Sequence, residues 1–364
     1  MAERGPSPLL TALIPTRNRS DNFISQLRLF AASSFPHPIV VADSSDAEHA
    51  ARIRAASAGR VQFHSYPPET KFFDKLANAV ATIDTPYVLL AADRKITFPH
   101  AVEAALTHLL QHDDCVGAQG LVIGFGRHGD DIDINRVVFF TPAIADDDPL
   151  QRHYHLMRRY QSWQFAVFRR EPLIAAIAQA RTVSGAMFEE VMFMNASVLQ
   201  GRLVRLPHIM TLQTVEQSFN PLTRIDPLYW FLDNSRSFFR HYILYRNSLA
   251  RFIAARRITV ATDCDLHQLL DTVHAVWLNY NFDHGVLNHA TRRFLGDDIP
   301  PLPHPRPPLP WRPPTGDDVV HATKHGRRYI WRGEVLSAEP REEIEISVEE
   351  IARVERQLDW YFGD

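Results

Sequence analysis

The feature that most limits how this chain can fold is an alternation in its first hundred residues. Short apolar runs at 9–14, 39–42 and 87–91, and a further strand candidate at 61–66, are separated by stretches with helical periodicity. The first of these follows Ser20, an N-cap candidate, and carries Phe23, Leu27, Phe30 and Ala31; the others span 46–58 and 69–83. Strands alternating with helices of about a dozen residues require right-handed crossovers and a parallel sheet buried on both faces, so this part is α/β. In such sheets a ligand lies beyond the carboxyl ends of the strands, where loops converge and helix N-termini point.

The residues that follow each strand are therefore the candidates. They form four polar clusters: Pro15-Thr16-Arg17-Asn18-Arg19, Asp43-Ser44-Ser45, Lys75 with Asn78 on one helix face, and Asp93-Arg94-Lys95. Each alone has a plainer reading. Asp43 can be a turn or capping residue, and Lys75 and Asn78 a solvated face. Their joint order says more than any one of them.

Composition narrows the class. The chain has 364 residues, 45% of them hydrophobic, enough for a sizeable core. A formal net charge of -3 supplies no overall basic field, which argues against nucleic acid as a partner. Two cysteines, Cys115 and Cys264, are too few for a disulfide framework and lack metal-ligand spacing, so both read as packing residues in a reducing compartment. No run of eighteen apolar residues occurs, and the N-terminus has no long apolar segment. The expected location is cytoplasmic.

After Gly117 the pattern changes. Apolar runs at 118–125 and 134–141 flank a polar, Gly-containing segment at 126–133, predicting an added hairpin or mixed-sheet region. A helix closing at Arg158 and Arg159, a strand at 164–168 and a helix at 172–183 follow. Another helix over 188–200 precedes Gly201, a C′ candidate. Residues 221–294 are mostly helical in pattern, 298–314 are dense in proline, and 327–336 suggest a hairpin turning at Arg332-Gly333. A terminal helix over 347–360 opens with capping-box spacing between Ser347 and Glu350. The expected organisation is a domain at 1–215, a helical acceptor or oligomerisation region at 216–298, and a strap, hairpin and helix at 299–364.

Four segments carry a resemblance: Leu13-Ile14-Pro15-Thr16-Arg17-Asn18-Arg19, Ile39 to Ser45, Lys75-Leu76-Ala77-Asn78-Ala79 and Tyr87 to Ala91. Together they resemble the nucleotide-binding half of family 2-type bacterial glycosyltransferases. The resemblance implies a GT-A, Rossmann-like fold with a mostly parallel sheet, flanking helices and a helical C-terminal region. It further implies a nucleoside-diphosphate sugar donor, with Pro15, Thr16, Arg17 and Arg19 in the loop that wraps the nucleotide. Asp43 then holds base or ribose, Asn78 belongs to the donor-binding set, and Lys75, Arg94 and Lys95 stand near the diphosphate.

In that family the fourth strand ends in an Asp-x-Asp or Asp-Asp motif that binds a divalent cation. Here the stretch is Ala91-Ala92-Asp93-Arg94-Lys95, with one carboxylate and two cations. Asp93 alone can hold Mn²⁺ or Mg²⁺ through the phosphates. Alternatively Arg94 or Lys95 replaces the metal, because a guanidinium pairs bidentately with phosphate oxygens. A third reading has both cations facing solvent and Asp93 capping the loop.

The family also carries a Glu-Asp pair at a helix start, its second acid acting as base, with a glycine eleven residues later. The matching stretch runs from Phe188-Glu189-Glu190 to Gly201, which puts Glu190 at the base position and Glu189 beside it. A carboxylate there can take the acceptor hydroxyl proton in an inverting transfer. A helix N-terminal turn also favours acids for electrostatic reasons alone.

Other segments attract attention. His153, Tyr154 and His155 lack a carboxylate spaced to complete a metal site, and Asp146-Asp147-Asp148 before Pro149 reads as helix-start chemistry. Aromatics from Tyr229 to Tyr245, interleaved with Arg236, Arg240, Arg246 and Arg251, fit core packing, a sugar acceptor, a membrane surface at the inner membrane, or a homodimer contact. The Gln-x-x-Arg-Trp signature of processive synthases is absent, which favours transfer of a single sugar to a glycan, lipid-linked glycan or small-molecule hydroxyl. A catalytically degenerate nucleotide-sugar-binding scaffold is the first alternative. A sugar-phosphate nucleotidyltransferase is the second, weakened by a first loop without the Gly-rich phosphate pattern.

Overall fold

The computed structural model describes residues 8–57, 59, 61–139, 142–214, 230, 234–259, 263–281, 292, 295–296, 311–323, 326–336 and 346–363. Strands β1 (Leu10–Thr16), β2 (Ile39–Asp43), β3 (Val61–Ser65) and β4 (Tyr87–Leu90) lie parallel, in the spatial order β4-β1-β2-β3. Helices α1 (Ser20–Ala32), α2 (Ala47–Ala56) and α3 (Phe72–Val80) connect them. Every residue of β1, β2 and β4 is buried, as continuous apolar runs require of strands covered on both faces. This is the α/β arrangement the alternation predicts.

Beyond β4 the sheet becomes mixed. Strand β5 (Lys95–Thr97) and helix α4 (Pro99–Gln111) lead into β6 (Cys115–His128) and β7 (Asp131–Phe139), an antiparallel hairpin at the predicted position. Helix α5 (Pro149–Arg158) starts on Asp148, whose carboxylate accepts the Leu150 amide, so the acidic run does act as helix-start chemistry. Then come β8 (Val167–Arg169), α6 (Arg170–Ala180), α7 (Ala186–Gln200) and β9 (Arg202–Thr214). Strand β8 joins β4 to β6 by antiparallel pairing, while β9 runs parallel to β6 and antiparallel to β5.

Gly201 corrects one expectation. Its φ of 175° is extended backbone, not the left-handed C′ conformation. Glycine is needed because a Cβ would lie 2.4 Å from Val116 Cγ1 and 2.9 Å from the Asp114 carbonyl oxygen, where α7 hands the chain to β9.

Helices α8 (Ser235–Ala255) and α9 (Asp263–Asn281) pack on α7 and α5. Phe238 and Tyr245 from the aromatic stretch are buried beside Phe188, the core-packing outcome, whereas Phe239 and Ile243 are exposed. Trp230 also packs on Phe188. The rest of 215–233 and most of the proline-dense segment lie outside the described residues.

The C-terminal hairpin also differs from expectation. Strand β10 (Val319–Ala322) pairs antiparallel with β11 (Arg328–Trp331), so the reversal falls around Gly326, with φ +85°, rather than at Arg332-Gly333. Gly333 instead opens a short helix, α10 (Gly333–Leu336). Strand β11 runs parallel to β7 and extends the same sheet, and buried Arg332 binds Asp133 and Asp318 across that junction.

Helix α11 (Val348–Phe362) is capped as predicted on its first half: the Ser347 hydroxyl accepts the Glu350 amide. Glu350 does not complete the box, because its carboxylate accepts the Ile209 amide of β9 instead. Ile351, Val354, Leu358 and Tyr361 form a helical stripe in one cluster with Leu29 and Phe98, each such burial contributing about 1.5–3 kcal/mol. Cys115 is buried and free, as a packing residue is.

Candidate active site

The first loop is held by the ends of three strands. The Asp93 carboxylate, 8% exposed, accepts the Arg17 amide at 3.2 Å and the Arg19 guanidinium at 3.2 and 3.4 Å. Lys75, also buried, donates from Nζ to the Thr16 carbonyl and the Ser44 hydroxyl, each at 3.0 Å. Burial pulls the Lys75 pKa down to about 8, against the attraction of Asp93 and Asp43. The lysine is a peg between the ends of β1 and β2, not a solvated residue. Asn78, three residues on, is exposed, so the two side chains differ in environment although they share a helix.

Asp43 is buried and accepts the Ser45 amide at 2.9 Å, which makes it a turn residue at least. Asn18 takes φ 54° and bonds across the gap, its amide to Ser45 Oγ at 2.8 Å and its side-chain oxygen from the Asp46 amide at 2.9 Å. Thr16 Oγ1 is buried with no hydrogen-bond partner among the described residues. A buried hydroxyl left so is unusual, and it lies where the ends of β1 and β2 meet. Pro15 is buried in β1 and Arg17 has an exposed side chain.

A second group sits around Lys95. Its ammonium lies 4.9 Å from the centroid of the Phe165 ring. Burial lowers the Lys95 pKa to about 7, against the attraction of Glu190, and Arg94 and Arg205 lower it further. Lys95, Arg94 and Glu190 therefore share one electrostatic neighbourhood. Glu190, partly exposed in the first turns of α7, accepts the Tyr160 hydroxyl at 3.1 Å. Glu189 points elsewhere in charge terms: burial raises its pKa, and its charged neighbours are Lys71 and Asp74.

Tyr160 and Arg205, whose charge also acts on Lys95, have no counterpart in the sequence reading. Arg205, buried in β9, stacks 3.8 Å from the Trp163 centroid and donates to Gln119 and to the Gly120 carbonyl at 2.8 Å. The only signal was an arginine and a glutamine inside otherwise apolar strand runs. His153 is buried against Asn195 at 2.5 Å, and His155 pairs with Asp146.

No family model matches the sequence and no curated protein matches it. Solved structures that hold a sugar nucleotide or a nucleoside diphosphate are among those similar to this chain. S. aureus TarS is 14% identical with a TM-score of 0.47, over 75% of this chain and 43% of that one. The TarS 1-349 structure in complex with UDP-GlcNAc is 14% identical with a TM-score of 0.45, over 78% of this chain and 92% of that one. Glucosyl-3-phosphoglycerate synthase from Mycobacterium tuberculosis, in complex with Mn²⁺, UDP and phosphoglyceric acid, is 14% identical with a TM-score of 0.37, over 70% and 80%.

Proposed function

We propose that this chain is a glycosyltransferase that moves one sugar from a nucleoside-diphosphate sugar to a hydroxyl acceptor with inversion. The observation that carries the reading is the attraction that Lys95 feels from Glu190, at a position two residues past Asp93, whose carboxylate holds the first loop. A site for this chemistry needs a cation where the diphosphate leaves and a carboxylate where the acceptor loses its proton. Residues of both kinds meet there.

The donor's nucleoside lies over the first loop, with Thr16 Oγ1 and Asp43 as its polar contacts. Glu190 takes the acceptor hydroxyl proton as that oxygen bonds to the anomeric carbon. The bond from that carbon to the diphosphate breaks, and its electron pair leaves with the diphosphate. Lys95 and Arg94 receive the charge. Tyr160 positions the base.

Asp93 does not fit a divalent cation. Both of its oxygens are engaged by Arg19, one of them also by the Arg17 amide, and the Lys75 ammonium stands close enough to feel its charge. A second carboxylate is missing from the motif, and Mn²⁺ or Mg²⁺ would meet fixed positive charge.

The same Arg19–Asp93 pair favours the second reading, a nucleotide-sugar-binding scaffold without turnover. The two separate on Glu190→Ala. With a panel of nucleoside-diphosphate sugars and simple acceptors, the variant should bind nucleotide as before and release diphosphate at least a hundredfold more slowly. Equal release from both proteins would remove Glu190 as base; none from the wild type on any donor would favour the scaffold.

A further inference from the structure

Away from the residues above, three side chains remote in sequence converge. His100 lies in the first turn of α4, His208 in β9 after Pro207, and Glu350 in the first turn of α11. Their potential ligand atoms all fall within 4.8 Å of one another. His100 Nε2 is 2.9 Å from Glu350 Oε1, and His208 Nδ1 is 3.5 Å from Glu350 Oε2. We propose that His100, His208 and Glu350 form a transition-metal site, suited to Zn²⁺, that fastens the C-terminal helix to the sheet.

Spacing and donor type both point this way. Four ligands held about 2.0–2.2 Å from a tetrahedral zinc sit on the order of 3.4 Å apart, close to the two separations present. Two imidazoles and one carboxylate suit zinc, with the fourth position left to water on the side where His208 is 34% exposed. His208 Nδ1 is itself buried with no hydrogen-bond partner among the described residues.

The surroundings orient the ligands as second partners of a metal site do. Gln357, two helical turns beyond Glu350, meets the other nitrogen of His100, with Oε1 at 3.4 Å and Nε2 at 3.1 Å. The Ile209 amide donates to Glu350 Oε1 at 2.7 Å and holds the carboxylate between the rings. Arg353 Nη1, 3.7 Å from Glu350 Oε2, is an opposing charge, and its side chain is 43% exposed and able to swing out.

The test is zinc binding by tag-free protein stripped with chelator, followed by competition with a chromophoric chelator and by Co²⁺ absorption. The wild type should take up one Zn²⁺ with a Kd below about 1 μM, or about -8 kcal/mol. It should give the visible bands of a four-coordinate Co²⁺ complex. His208→Ala keeps the His100–Glu350 and Ile209 contacts and so should fold, yet bind at least tenfold more weakly and lose those bands. Glu350→Gln, which keeps an acceptor for the Ile209 amide, should do the same. Equal zinc affinity in wild type and His208→Ala, or none in the wild type, overturns the site.

Discussion

Arg19 and Asp93 form an ion pair, Nη1 to Oδ1 at 3.2 Å, which engages the carboxylate that follows β4. The pair also closes the first loop, because the same carboxylate accepts the Arg17 amide. Arg19→Ala should release Asp93 without disturbing the loop amide. The expected result is a loss of about 1 kcal/mol, since Arg19 is partly exposed, and the appearance of a Mn²⁺-dependent rise in Tm with nucleoside diphosphate. A Mn²⁺ effect of equal size in the wild type would contradict the pairing's role.

Lys95 sets a pH dependence. Its folded pKa of about 7 lies below the ordinary 10.5, so between those values the unfolded chain holds more protons. Stability therefore rises with pH across that window, and the cost of the buried ammonium is felt in full below pH 7. Diphosphate binding depends on the same proton with the opposite sign. Affinity should fall as pH rises above about 7, by up to about tenfold per unit, and Lys95→Arg should flatten the profile because a guanidinium stays charged. Calorimetric titration from pH 6 to 9 measures both; a wild-type affinity that climbs with pH would refute the assignment.

Tyr160 acts through Glu190. Removing its hydroxyl in Tyr160→Phe leaves the aromatic packing against Trp277 in place. Turnover should drop about tenfold, equivalent to about 1.4 kcal/mol, while nucleotide affinity stays within twofold. A change in affinity with turnover intact would mean that the hydrogen bond orders the donor side instead.

Gly201 tests the junction between α7 and β9. An alanine there would press on Val116 Cγ1 and the Asp114 carbonyl, and the backbone contact cannot swing aside. Gly201→Ala should cost about 1–3 kcal/mol in chemical denaturation. A neutral result would show that the two elements separate easily.

Much of this was legible from periodicity, and the reason is physical. Strands β1, β2 and β4 are buried on both faces, so mainly apolar runs fit, and their ends are marked by the first charged residues: Arg17, Asp43 and Asp93. Asp148 and Ser347 show their capping roles in local spacing alone. What spacing cannot reveal is which partner a side chain meets across the fold. Lys75 and Asn78 share a helix, yet one is buried against Ser44 and the other is exposed. Gly201 looked like a helix stop because the close approach of Val116 has no local signature. The reversal at Gly326 was misplaced because Arg332-Gly333 reads as a turn in isolation, while Arg332 is taken up by Asp133 and Asp318. Tyr160, Arg205 and the His100–His208–Glu350 group depend wholly on contacts between distant segments.

The proposed site binds a nucleoside diphosphate through protein cations in place of a metal. Thermal shift against UDP, GDP, ADP, CDP and dTDP, each with Mn²⁺ and with chelator, tests it most directly, read against the shift that metal or chelator causes without nucleotide. At a hundred times its Kd one of them should stabilise the protein by about 2.7 kcal/mol, with the same increment in chelator as in Mn²⁺. Stabilisation by a diphosphate only when Mn²⁺ is present, or by none of them, would contradict the account.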